Sequence, residues 1–90
     1  MLQNVTLLTG VVADAVTLHQ SAGSTSFAYT RILVSNKFHV TIRATGLQAE
    51  LLAQRKVGDI ITVSGQLLPE NERKQTFCIK ADVIAFGGAR

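Results

Sequence analysis

The stretch FAYTRILVSNKFHVTIR, residues 27–43, sets Arg31, Lys37 and Arg43 among Phe27, Tyr29 and Phe38. The later NERKQ adds Arg73 and Lys74. Guanidinium and ammonium groups neutralise phosphates, and flat rings stack on unpaired bases. These residue types therefore suit a flexible polyanion with exposed bases. Lys80 is a further cation, whose face on its strand the sequence leaves open. Each residue also has a plainer use. Phe77 and Phe86 are expected in the core, and Phe27, Tyr29 and Phe38 fit either a core or a stacking surface. Arg31 and Arg43 fit phosphate contact, simple solvation, or pairing with an acidic residue such as Glu50 across an oligomer contact.

Catalysis has less to draw on. A hydrolytic site needs a nucleophile, a base and a group that orients the base. His19 and His39 lie in no motif of that kind, and Glu70 and Glu72 fall in a charged, loop-like run. Only His19, His39 and Cys78 are soft metal ligands, too few at no recognisable spacing for a zinc site. No phosphate-binding loop G-x-x-x-x-G-K-[ST] occurs. No enzyme activity, metal or cofactor is expected, and binding is the default.

The composition agrees. Ninety residues make one small domain with one core. The hydrophobic fraction of 47% against 17% charged is that of a globular chain. Nine Lys or Arg against six Asp or Glu give a net charge of +3, compatible with a polyanion without requiring one. The single cysteine, Cys78, excludes an internal disulfide and lies in the apolar run TFCIKADVIAF, the setting of a buried structural thiol. No signal peptide or membrane-spanning run is visible, so a cytoplasmic protein is expected.

The elements that must position these residues are mostly strands. Val5–Ala13, Thr25–Ser35, Phe38–Thr45, Asp59–Leu67 and Thr76–Phe86 are rich in β-branched residues, with a short pairing segment near Val16–Leu18. Thr25–Ser35 and Phe38–Thr45 are joined by the turn SNK around Asn36. In GLQAELLAQRKVG the period changes: Leu47, Leu51 and Leu52 recur at helical spacing, as do Ala49 and Ala53. This predicts a helix of about ten residues that Gly46 begins and Gly58 ends, with Arg55 and Lys56 against its negative end. PENERKQ reads as a polar loop opened by Pro69. Five strands with one helix between the third and fourth form an all-β OB-fold, a Greek-key barrel. It is expected over residues 1–86, with 87–90 a short tail.

In FHVTIRATG, alternation predicts Phe38, Val40, Ile42 and Ala44 on one face and His39, Thr41 and Arg43 on the other. Arg43 is expected to reach solvent, and Phe38 to be partly exposed at the strand's open end.

Placed on these elements, the sequence resembles the bacterial single-stranded DNA-binding proteins. MLQNVTLLTGVVADAV is similar to their opening strand and FAYTRILVS to their second. FHVTIRATGLQAELLAQRKVGDIITVSGQL carries an aromatic-His pair, a strand, a helix containing A-E-x-x-A, then K-x-G-D and a strand ending in G-x-L. ADVIAF resembles their closing strand. Primosomal replication protein B, a dimeric OB-fold protein of similar size, is a close second resemblance.

There are departures. The family's long arm between its second and third strands is here reduced to SNK. Its stacking tryptophans are absent, with Phe38 at one such aromatic place and Ala44 where phenylalanine is often found. Its acidic C-terminal tip has no counterpart in the GGAR end.

The resemblance implies sequence-nonspecific binding of single-stranded DNA in replication, recombination or repair. The implied contacts are Arg31, Lys37, Phe38, Arg43, Tyr29, Phe27, Arg73 and Lys74. It further implies a homodimer or homotetramer with His39 near a subunit contact, and contacts with replication proteins. The alternative it leaves open is a primosomal or conjugation accessory module acting mainly through protein–protein contacts.

Overall fold

The computed structural model describes residues 5–20, 25–35, 37–71, 73 and 76–86. The expected turn residue Asn36, the cation Lys74 and the tail 87–90 lie outside these residues. Among the described residues six strands and one helix follow one another as β1 (Thr6–Val12), β2 (Thr17–His19), β3 (Phe27–Ser35), β4 (Phe38–Thr45), α1 (Gly46–Ala53), β5 (Ile60–Asn71) and β6 (Thr76–Phe86). The short β2 is the minor pairing segment foreseen near residues 16–18. Counted apart from it, the barrel has the five expected strands, with the helix after the third of them.

The sheet order is β1-β5-β6-β4-β3-β2, and a further β1–β3 pairing joins the ends into a closed barrel. All neighbours are antiparallel except β4 and β6, which run parallel. Closure follows from the apolar pattern. Four strands send alternate residues inward: Ala28 and Ile32 from β3, Ile42 and Ala44 from β4, Ile61 and Val63 from β5, Ile79 and Ala81 from β6. Curling the sheet gives these side chains one shared interior and leaves fewer open edges. Thr30 is the polar exception on the inner face of β3, and its hydroxyl donates to the Asp14 carbonyl at 2.8 Å. A buried hydroxyl is tolerated because it is bonded.

The helix fills the space beside β4 and β6. Ala49 and Leu52 are buried, Leu51 and Ala53 are half-buried, and Leu47 faces solvent. Gln48 Oε1 accepts the Ile84 N–H at 3.0 Å, which satisfies β6 beyond the end of its ladder with β4. The helix is shorter than foreseen. It ends at Ala53, with the Gln54 N–H donating to the Leu51 carbonyl and the Arg55 N–H to the Leu52 carbonyl, so Arg55 and Lys56 do not lie in its last turn. Gly58 instead makes the turn into β5 at φ +99, where its N–H donates to Val12. Arg55 lays its guanidinium 3.6 Å over the Phe86 ring, fastening the end of β6 to that turn.

Two expectations fail, for identifiable reasons. The strand expected to stop at Leu67 continues through Pro69 to Asn71, where Pro69 faces Phe77. Pro69 stands at a register shift of the β5–β6 ladder, between Pro69 and Asn71, and a bulge has no need of the N–H that proline lacks. Phe77 and Phe86 are exposed rather than buried, because both lie near the ends of β6 beyond the barrel interior.

Gly65 sits at an irregularity in the β5–β6 ladder, where the strands touch through their backbones. A Cβ there would stand 2.1 Å from the Lys80 carbonyl oxygen, so β6 would have to move. Gly65→Ala should cost about 2 kcal/mol or more, lowering the melting temperature by roughly 10 °C. Gly58→Ala strains only its own backbone, in open space, and should cost about 1 kcal/mol. Thermal melts that reverse this order would contradict the account.

Candidate functional site

The outward face of the strands around the barrel seam gathers the aromatic and cationic residues in register. One row crosses five strands: Thr17 faces Tyr29, Tyr29 faces Arg43, Arg43 faces Lys80, and Lys80 faces Gln66. The row above it holds His19, Phe27 and Thr45. The row below holds Arg31, Thr41, Cys78 and Leu68.

His19, Phe27 and Tyr29 form a three-ring cluster. The His19 ring stacks at 6.1 Å on Phe27 and 5.9 Å on Tyr29, and the Phe27 and Tyr29 centroids are 5.7 Å apart. Phe27 and Tyr29 alternate on one face of β3, while β2 brings His19 alongside. Tyr29 is exposed and Phe27 half-buried, so the cluster presents ring surface to solvent. Arg43 adds its guanidinium 5.3 Å from the Phe27 centroid. His19 is not among the contacts expected from the sequence. The missed signal is its pairing with Phe27, one residue beyond the segment foreseen.

Arg43 and Lys80 stand side by side on β4 and β6, both exposed. Among the described residues neither has a salt-bridge partner. Adjacent like charges repel, by less than about 1 kcal/mol in water. An incoming anion between them would convert that repulsion into attraction.

Arg31 differs. It lies on the same outward register of β3, but its Nε donates to Asp14 Oδ2 at 2.6 Å and its Nη2 to Oδ1 at 3.3 Å. Within the chain its acidic partner is thus Asp14. The hydrogen bond from Arg31 holds the Asp14 carboxyl below the usual carboxylate range, and the same contact raises the guanidinium.

The remaining candidates are spread along the edges. Lys37 is exposed in the β3–β4 turn with φ +69. Phe38 beside it is 58% exposed, while Ile42 and Ala44 of the same alternating set are buried and Val40 is half-buried. A register shift between Leu33 and Ser35 and the open strand end leave Phe38 outside the core. Arg73 is exposed in the β5–β6 turn, and Lys74 lies outside the described residues. His39 faces Leu33, which faces Val11 on β1. Among the described residues no three His, Cys, Asp or Glu side chains converge on a metal position.

No protein-family profile matches the chain, and no curated protein sequence does. Solved structures do. The single-stranded DNA-binding protein from Thermus aquaticus matches 98% of this chain with a TM-score of 0.85 at 17% identity, and the chain spans 42% of that protein. The small single-stranded DNA-binding protein from Streptomyces coelicolor matches over 100% of this chain and 99% of its own, with a TM-score of 0.78 and 20% identity. PriB from Ralstonia solanacearum matches over 96% of this chain and all of its own, at a TM-score of 0.76 and 12% identity. At these identities the likeness is one of fold, and the OB-fold resemblance read from the sequence holds at that level.

Cys78 belongs to the outward rows by register yet is fully buried, separate from the interior cluster. Its neighbours close over it. An aromatic disulfide reagent should leave the native thiol unmodified over an hour and titrate one thiol per chain in denaturant. Rapid native labelling would show that the outward rows are less tightly covered.

Proposed function

We propose that this chain binds single-stranded DNA without sequence specificity, through the outward face of β2, β3, β4 and β6, and serves replication, recombination or repair. The observation that carries this is the Arg43–Lys80 couple, without a salt bridge among the described residues, in register beside the His19–Phe27–Tyr29 cluster. Cations in line with flat rings on one solvent-facing surface are what a flexible strand needs: charge for its phosphates, faces for its bases. Lys37 and Phe38 extend the path toward the β3–β4 turn. The likeness of fold to proteins named for single-stranded DNA binding supports the reading. Nothing in the row is shaped to read base edges, so affinity comes from charge and stacking.

The chain has one tyrosine and no tryptophan, so Tyr29 is its own reporter. Adding oligo-dT should quench the tyrosine emission as a base stacks on Tyr29. Log affinity should fall with log salt at a slope of about −2 to −3, for three or four neutralised phosphates. Arg43→Gln with Lys80→Gln should weaken binding roughly tenfold at low salt and flatten the slope by about 1.4. An absence of binding at low salt would end this reading in favour of a module acting through protein contacts.

We also propose that the chain self-associates through β1. Among the described residues no strand pairs with the second edge of Thr6–Gly10, and Leu7 beside it is 69% exposed. Val5, Val11, Ile60 and Val83 extend this apolar surface, and a row from Ile60 through Val11 and Leu33 reaches His39. A second copy related by a two-fold axis would pair the open edge and cover the patch. Light scattering should give a multiple of the 9.7 kDa chain mass, and Leu7→Asp should reduce it toward one chain. A wild-type chain that scatters as a monomer at micromolar concentration would refute this.

A further inference from the structure

We infer that Asp14 is a resident competitor for DNA phosphate: its carboxylate occupies the edge of Arg31 that the ligand would otherwise use, and holds the affinity of the surface down. The inference rests on the proposed single-strand binding face and concerns its regulation.

Arg31 has the position of a ligand contact. It follows Tyr29 on the outward side of β3 and faces Thr41, in the row next to Arg43 and Lys80. A strand crossing the rings and the Arg43–Lys80 couple passes beside it. Arginine binds a phosphate through two parallel N–H donors, and the edge formed by Nε and Nη2 is one such fork. In this chain both donors of that edge are given to the two oxygens of Asp14.

The carboxylate is held there by the backbone. The Asp14 carbonyl accepts the Thr30 hydroxyl at 2.8 Å, and the Ala13 N–H donates to the Arg31 carbonyl at 2.9 Å. The β1–β2 connection is thus pinned to β3 on either side of the ion pair. Asp14 acts twice against a ligand, closing the fork and adding a negative charge to an otherwise cationic face.

The pair is also exchangeable. Its side chains are 51% and 44% exposed, and an ion pair so open to water adds little to folding stability. Phosphate can therefore compete for the fork without unfolding anything. Because Arg31 keeps the Asp14 carboxyl ionised below the usual range, mild acidification does not remove the competitor, and neutralisation by substitution is required.

The test is oligo-dT binding by Asp14→Asn across a salt series, with a thermal melt to verify folding and Asp14→Ser as a second variant. Freeing one arginine should tighten binding roughly five- to tenfold at about 50 mM salt and steepen the log–log slope by about 0.7. The gain should vanish when Arg31→Gln is added. Weaker binding by Asp14→Asn would make Asp14 a positioner of Arg31 and overturn the inference, and unchanged binding would place the pair off the ligand path, with the same result. If Arg43→Gln with Lys80→Gln weakens the wild type while neither Asp14 variant changes it, the binding face stands and only the competitor falls. If neither wild type nor variants bind oligo-dT, both fall together.

Discussion

Three residue pairs, Thr41 with Cys78, Ile42 with Ile79 and Arg43 with Lys80, join β4 to β6 in parallel. Much of the molecule depends on this short seam. On its inner side Ile42 and Ile79 meet in the core, and without them the two halves of the sheet would expose their apolar faces. On its outer side the same register sets Arg43 beside Lys80, so packing inside the barrel positions charge outside it. Hairpins alone bring together only residues that follow one another, and here the two cations come from distant parts of the chain. Beyond Lys80 the ladder ends, and Gln48 of the helix takes the freed Ile84 N–H. The helix thus completes the seam as well as covering the barrel.

The outward face combines two kinds of surface. The ring cluster leaves Tyr29 open to water, and the Arg43–Lys80 couple leaves two like charges together. Both would gain from an anionic ligand with flat faces. Arg31 and Asp14 form a nearly neutral pair in the midst of this, so the effective charge of the face is lower than a count of its cations suggests. The apolar surface around Leu7 and Val83 lies on β1 and β6 and shares β6 with the cationic row, where Lys80 precedes Val83 by three residues.

The β-branched runs were enough to read the strands, the change to helical spacing the helix, and their order the barrel. Alternation set Ile42 and Ala44 on one face and Arg43 on the other, and Phe38 was recognisable as a strand-end residue. What could not be read depends on which strands become neighbours. Lys80 had no assignable face until the parallel pairing with β4 fixed it, and the partner of Arg31 turned out to be Asp14, brought close by the β1–β2 connection. Pro69 misled because proline punctuates loops, yet a register shift in the ladder accepts it. Phe77 and Phe86 misled because hydrophobicity says that a residue prefers an interior and not whether the interior extends to its position.

The sheet order has a consequence for how the chain is made. The strand that comes last in sequence, β6, lies between β5 and β4 rather than at an edge. While the chain emerges from the ribosome, the β3–β4 hairpin and the β1–β5 pair can assemble, but the space between them stays vacant until β6 arrives. Contacts between distant segments form slowly once the chain is free. For that interval the nascent protein carries two unzipped edges and a bared interior, the condition in which chaperones engage a client and in which a premature stop is least forgiving.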